Sequence, residues 1–128
     1  MKRLLVVDDA LFMRKMIGGV AAEAGWSVVG EAANGAEAVT LYEQLRPDLV
    51  TLDLVMPVMG GLDALRQIRA LDPTARVVVV SALDQKQALL DSIREGAIDF
   101  VVKPFDRQRV INLLGKLAGG GTTTTGPG

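Results

Sequence analysis

The sequence contains no cysteine and no histidine. Without cysteine, disulfides, thiolate zinc sites and cysteine nucleophiles are excluded. Without histidine, the chain lacks the commonest general base and metal ligand, and a Ser-His-Asp triad is impossible. Any chemistry in this chain must therefore use carboxylates, hydroxyls, lysine or a hard metal ion.

The chain also lacks a charge excess and a long hydrophobic run. Lys and Arg number 14 and Asp and Glu 15, so a net charge of −1 gives no indication of nucleic acid as a partner. The basic, apolar start is interrupted at Asp8, too early for a signal peptide or a membrane span. We therefore expect a cytoplasmic protein that binds neither nucleic acid nor membrane.

Length and composition indicate one folded domain. Hydrophobic residues make up 49% of the chain and charged residues 23%, which is typical of a globular protein. Residues 119–128 contain only Gly, Thr and Pro, and such a segment offers nothing to build a core. We place the domain at residues 1–118 and interpret 119–128 as a flexible tail or linker remnant, which leaves a removed second domain open.

Five short apolar segments, rich in valine, recur along the chain: Leu4–Val7, Ser27–Val29, Leu49–Leu52, Val77–Val80 and Ile98–Val102. Most lack alternation of polar and apolar residues, as is typical of parallel strands covered on both faces. The stretches that follow them carry apolar residues at helical spacing, such as Met13, Ile17 and Val20. This alternation predicts an α/β fold, a (βα)5 flavodoxin-like three-layer sandwich with right-handed crossovers.

Polar side chains follow four of these segments. Asp8 and Asp9 come after the first, and Asp53 comes after the third. Ser81 follows the fourth segment and Lys103 the fifth. In parallel sheets the ligand site lies at the carboxyl ends of the strands, where the strand order reverses. With the common order 2-1-3-4-5, strands one and three are neighbours at that point, so we expect these side chains to converge.

Three carboxylates this close repel one another unless protons or a cation neutralise them. A divalent hard ion is the natural solution, and Mg²⁺ prefers one or two carboxylates together with water and phosphate oxygen. One aspartate then remains free to form an aspartyl-phosphate, with Lys103 and Ser81 beside the transferred group. The pattern predicts a Mg²⁺-dependent phosphoryl-transfer site.

Simpler roles remain open for several of these residues. Asp8 and Asp9 are compatible with a helix N-cap pair, and Ser81 with an ordinary turn residue. Asp53 is harder to explain structurally, because its neighbours in sequence are largely apolar and an unpaired carboxylate there would be costly.

A set of motifs over residues 3–118 resembles the receiver domains of response regulators, most closely those of the single-domain chemotaxis type. The motifs are Leu-Val-Val-Asp8-Asp9, Gly30–Gly35, Asp53-Leu-Val-Met-Pro57, Gly61, Ser81-Ala82, Gly96-Ala97 and Lys103-Pro104-Phe105. The resemblance implies a two-component signalling protein that is switched by phosphorylation and is not an ordinary enzyme.

The resemblance also implies a role for each residue of the cluster. Asp53 would accept a phosphoryl group from the phosphohistidine of a sensor histidine kinase, with Lys103 and Ser81 contacting the phosphate. The ligands implied for Mg²⁺ are Asp8 acting through water, Asp9, Asp53 and the backbone carbonyl of Val55.

In the same family Ser81 then moves toward the phosphate and an aromatic residue, here Phe100, turns inward. That movement would reshape the face of helix four, strand five and helix five for an output protein. Core packing is the simpler alternative for Phe100. The family further implies a cis peptide bond at Lys103–Pro104, and apolar Val55 and Leu83 beside the phosphoryl group predict slow hydrolysis of the aspartyl-phosphate.

Three other functions remain to be weighed. A flavin-binding module shares the topology, but its first loop should be rich in Ser, Thr and Gly, where this chain has Asp8 and Asp9. An aspartate-nucleophile phosphatase would need its nucleophile and acid/base on one early strand, together with cap segments. The last is a receiver domain cut from a multidomain, for example DNA-binding, regulator, and no helix-turn-helix sequence remains in this chain with which to test it.

Overall fold

The structure is a computed structural model that describes residues 2–119. The tail predicted at 119–128 lies, apart from Gly119, outside the described residues.

Five strands alternate with five helices, as the sequence pattern predicts. The strands are β1 (Arg3–Val7), β2 (Ser27–Ala32), β3 (Leu49–Leu52), β4 (Val77–Ala82) and β5 (Asp99–Lys103). The helices are α1 (Leu11–Glu23), α2 (Gly35–Leu45), α3 (Gly61–Leu71), α4 (Lys86–Arg94) and α5 (Arg107–Ala118). A 3-10 turn at Leu83–Gln85 leads into α4. Strands β2 and β4 continue beyond their predicted ends to Ala32 and Ala82, because pairing with the neighbouring strand extends to those residues.

All four strand pairs are parallel, and the order β2-β1-β3-β4-β5 confirms the predicted topology. The pairing of β1 with β2 contains one register shift, between Leu4 and Leu5. Strands β1 and β3 pair from Leu4 with Leu49 to Val7 with Leu52, so the two strands end side by side. This shared end is the point at which the strand order reverses.

Each face of the sheet carries its own apolar core, which explains the nearly continuous apolar strands. One face packs against α2, α3 and α4, through buried residues such as Tyr42, Leu65 and Leu89. The other face packs against α1 and α5, through residues such as Ile17 and Leu114. Together they form the predicted three-layer α/β sandwich.

Two helices, α1 and α4, are followed by glycines with positive φ, Gly25 at 94° and Gly96 at 105°. Within residues 2–119, no helix is both long and apolar enough to cross a membrane.

Candidate functional site

The paired ends of β1 and β3 bring the three aspartates together. Backbone hydrogen bonds continue past the strands, from the Asp8 N–H to the Ala32 carbonyl and from the Asp53 N–H to the Val7 carbonyl, both at 3.0 Å. As a result, carboxylate oxygens of Asp8, Asp9 and Asp53 all lie within 4.8 Å of one another. Asp8 is fully buried, Asp53 is 6% exposed and Asp9 is exposed.

Lys103 approaches the same cluster from the end of β5. Its Nζ lies 2.7 Å from Asp8 Oδ2 and 3.4 Å from Asp53 Oδ2, so the closer ion pair is the one with Asp8. The Lys103–Pro104 peptide bond is cis, which confirms that prediction. The four charged residues predicted from the strand ends therefore do form one cluster.

Asp8 does not serve as a helix N-cap. The N-cap of α1 is Ala10, and no side chain caps it. Asp8 Oδ1 instead accepts a hydrogen bond of 2.9 Å from the Ala10 N–H. Its other oxygen, Oδ2, accepts a hydrogen bond from Lys103 Nζ. The carboxylate of Asp9 accepts no hydrogen bond from any residue between 2 and 119. The N-cap interpretation of the acidic pair is therefore wrong, and Asp9 has its oxygens available.

The loop from β3 to α3 is folded tightly against Asp53. The Gly61 N–H donates to the Leu54 carbonyl at 2.9 Å. A Cβ atom on Gly61 would lie 2.0 Å from the Asp53 carbonyl oxygen, so only glycine permits this approach. The Val55 nitrogen lies 3.4 Å from Asp53 Oδ1, and Val55 is 56% exposed as a residue.

The surroundings of Asp53 disfavour its ionised form. Burial raises the pKa of Asp53, Lys103 opposes that effect, and the charge of Asp8 reinforces it, so the pKa stays above its ordinary value. Burial acts in the opposite direction on Lys103 and lowers its pKa. The hydrogen bond that Lys103 donates to Asp8 and the charges of both aspartates outweigh burial, so the pKa of Lys103 is raised and the ammonium stays charged.

The donors of this cluster fit Mg²⁺. Three ionised carboxylates against one ammonium leave two uncompensated negative charges in a largely buried site, which a divalent cation would neutralise. All the side-chain donors are oxygens, the kind that Mg²⁺ prefers. The exposed carboxylate of Asp9 leaves the cluster open to solvent, as is needed for an ion that retains water.

Ser81 lies near the carboxyl end of β4, whereas Phe100 lies near the start of β5. Ser81 is fully buried, and its hydroxyl, like that of Thr51, has no hydrogen-bond partner within the described part of the chain. It follows Val79 and Val80 in β4, and Val79 pairs with Phe100 of β5. Phe100 is 36% exposed and belongs to neither apolar core, so its interpretation as a core residue is wrong.

The sequence patterns assign no role at this site to Arg14 or Glu31. Arg14 Nη1 donates to the Asp8 carbonyl at 2.8 Å, and its Nε donates to Glu31 at 2.9 Å. The hydrogen bond from Arg14 is the main cause that lowers the pKa of Glu31. The available signal was a cation near the start of a helix, where the helix dipole disfavours positive charge.

Comparison with known proteins gives the same family throughout. A profile of the response regulator receiver domain matches residues 4–115. The chemotaxis protein CheY of Thermotoga maritima is 48% identical over 117 residues, which span 91% of this chain and 98% of that protein. CheY of Listeria monocytogenes is 51% identical over 118 residues, 92% of this chain and 99% of the relative.

A similar solved structure is the CheX-CheY-BeF3-Mg²⁺ complex from Borrelia burgdorferi, with a TM-score of 0.81 at 38% identity, covering 86% of this chain and 84% of that chain. Because proteins named CheY are matched almost end to end, the single-domain type is favoured over a receiver domain of a DNA-binding regulator. The flavin-binding and phosphatase alternatives receive no such support. The chain belongs to the response regulator receiver domain family and is a response regulator of the chemotaxis type.

Proposed function

We propose that residues 1–118 form a phosphorylation switch in which Asp53 accepts a phosphoryl group from the phosphohistidine of a sensor histidine kinase. The observation that carries the proposal is the setting of Asp53, whose side chain is 8% exposed and lies among two further aspartates and 3.4 Å from the Lys103 ammonium. A buried, partly compensated carboxylate of this kind is suited to act as a nucleophile toward a phosphoryl group.

The proposed transfer of a phosphoryl group to Asp53 uses these contacts. An Asp53 oxygen forms a bond to phosphorus, the bond from phosphorus to the donor's imidazole nitrogen breaks, and its electron pair stays on that nitrogen. Lys103 is already within reach of Asp53 and stabilises the negative charge of the phosphoryl oxygens. The Ser81 hydroxyl, which makes no other hydrogen bond within residues 2–119, is available to donate to one of those oxygens.

The residues that would hold Mg²⁺ are Asp9, Asp53 and the backbone carbonyl of Val55, with Asp8 acting through water. Bound Mg²⁺ supplies two positive charges that offset the carboxylates and the phosphoryl oxygens. The similar complex from Borrelia burgdorferi contains Mg²⁺ together with BeF3, which supports the same use of this site.

Phosphorylation would be transmitted to an output protein through the face formed by α4, β5 and α5. Phe100, at 36% exposure, lines a groove of about 200 Å³ along β5 and the start of α5, together with Pro104, Phe105 and Arg109. Movement of Ser81 toward the phosphate would leave room for Phe100 to turn inward and so change this groove. An output protein that contacts the α4-β5-α5 face would then bind the two forms with different affinity.

We further propose that the aspartyl-phosphate hydrolyses slowly and that no other substrate is turned over. Val55, which is 56% exposed, follows Asp53 by two residues, and its side chain offers neither donor nor acceptor to orient an attacking water. A poorly oriented water raises the barrier, and each 1.36 kcal/mol corresponds to about tenfold in rate.

The test is phosphorylation with Mg²⁺ and acetyl phosphate or a phosphorylated kinase, followed by mass spectrometry of the intact chain. Wild type should gain one phosphoryl group, and Asp53→Asn should gain none. Asp63→Asn is the matched control, because Asp63 is 65% exposed on α3 and should leave labelling unchanged. Full labelling of Asp53→Asn would overturn the assignment.

A further inference from the structure

The guanidinium of Arg14 connects the loop that contains Asp8 and Asp9, here called the acidic loop, to the edge strand β2. Its Nη1 donates to the Asp8 carbonyl at 2.8 Å, and its Nε donates to Glu31 Oε1 of β2 at 2.9 Å. The Arg14 side chain is only 15% exposed and that of Glu31 30% exposed, so both contacts are partly buried. One planar group therefore holds the backbone of the acidic loop and β2 at the same time.

The carbonyl that Arg14 holds belongs to the peptide that joins Asp8 to Asp9. A peptide group is planar, so fixing its oxygen also fixes the direction in which the chain enters Asp9. The Asp8 side chain is restrained separately, by the Ala10 N–H and by Lys103. The Asp9 side chain receives no hydrogen bond from residues 2–119, so its direction depends on this backbone.

The position of Arg14 in α1 is unfavourable for its charge. It is the fourth residue of the helix, where the dipole opposes a positive charge. Glu31 compensates that charge, and Lys15 also reaches Glu31, at 3.2 Å. Lys15 is 68% exposed and has no hydrogen bond to Asp8, so of these two cations only Arg14 connects the ion pair to the acidic loop.

We propose that Arg14 is a positioning residue for the Mg²⁺ site, which holds the Asp8–Asp9 peptide so that the Asp9 carboxylate faces Asp53. The inference rests on the proposed function, because it concerns the same ion. Groups that orient metal ligands from outside the coordination sphere typically change metal affinity about 10-fold to 100-fold when they are removed.

Titration calorimetry of the phosphate-free protein with MgCl2 tests this role. Arg14→Met keeps the aliphatic stem and removes both hydrogen bonds, and we expect its Kd for Mg²⁺ to rise about 10-fold or more. Lys15→Met removes a charge from the neighbouring position without touching Asp8, and we expect a change of less than about twofold. Arg14→Lys keeps the charge but has no planar fork, so it should fall between Arg14→Met and wild type.

Thermal unfolding of each variant in EDTA separates positioning from stability. If Arg14→Met melts earlier than wild type but binds Mg²⁺ with an unchanged Kd, the residue is structural and the proposal is overturned. Equal weakening in Lys15→Met would likewise overturn it, since loss of charge would then explain the effect. If wild type and Asp9→Asn both fail to bind Mg²⁺, the proposed metal site fails, and the inference about Arg14 fails with it.

Discussion

Val58 combines two unfavourable properties in the loop between β3 and α3. Its φ is 67°, in the left-handed region that β-branched residues rarely adopt, and the residue is 85% exposed. The Met59 N–H donates to the Pro57 carbonyl across it at 2.7 Å, which closes a γ-turn of the rare positive-φ kind. Such backbone strain costs on the order of 1–3 kcal/mol and clusters at functional loops.

Replacement of Val58 should therefore stabilise the fold. Asn tolerates positive φ, so we expect Val58→Asn to raise the free energy of unfolding by about 1 kcal/mol. Urea denaturation in EDTA would measure it, with fluorescence of Trp26 as the probe, because this sole tryptophan is 3% exposed. Val55→Asn is the matched control in the same loop, since Val55 has no positive φ. An equal effect of both substitutions would show that backbone strain is not the cause.

Helix α1 contains two adjacent glycines, Gly18 and Gly19, yet it runs without interruption from Leu11 to Glu23. A Cβ atom on Gly19 would meet nothing within 4 Å, and one on Gly18 would meet only Val28, at 3.6 Å. Packing within the described residues therefore requires glycine at neither position. The pair leaves α1, which carries Arg14, with less intrinsic helical stability than alanine would give.

Gly19→Ala should raise the free energy of unfolding by about 1 kcal/mol, because alanine loses less conformational entropy in a helix. Gly115→Ala in α5 is a matched comparison, since a Cβ there also meets nothing within 4 Å. Urea denaturation of both variants should show similar gains. A gain for Gly115→Ala with a loss for Gly19→Ala would mean that α1 needs a close contact at Gly19.

The charges of the acidic cluster link the stability of the domain to pH. The folded pKa of Asp53 lies above its ordinary value of 3.8, so the folded state binds this proton more tightly than the unfolded chain. The contribution of Asp53 to the free energy of unfolding is therefore least favourable above the folded pKa. It becomes more favourable as the pH falls through that pKa toward 3.8.

Asp53→Asn should accordingly be more stable than wild type at pH 7 in EDTA, and the difference should shrink as the pH is lowered. Excess Mg²⁺ should stabilise wild type, by about 2.7 kcal/mol at 100 times its Kd, and should have little effect on the variant. Urea denaturation from pH 7 down toward 3.8, in EDTA and in excess Mg²⁺, checks both results, with Asp63→Asn as the exposed control. A variant less stable than wild type at pH 7 would show that Lys103 outweighs burial at this site.

Much of this architecture is already specified by local sequence patterns. Continuous apolar segments predict strands buried on both faces, and helical spacing predicts the intervening helices, because each pattern depends only on backbone periodicity. The convergence of Asp8, Asp53 and Lys103 also follows, since parallel strands bring their carboxyl ends to one edge. The assignment of separate roles within that cluster required the family resemblance in addition.

Other features depend on atoms that meet only in the folded chain. The contact of Arg14 with Glu31 joins a helix to a strand 17 residues away, and it requires their packing distance and rotamers. The positive φ of Val58 contradicts the preference of its residue type and is imposed by the loop around it. The exposure of Phe100 likewise depends on tertiary packing, as does the absence, within residues 2–119, of a hydrogen-bond partner for the Ser81 hydroxyl. Periodicity selects the elements, whereas three-dimensional packing decides which side chains touch and which backbone conformations are enforced.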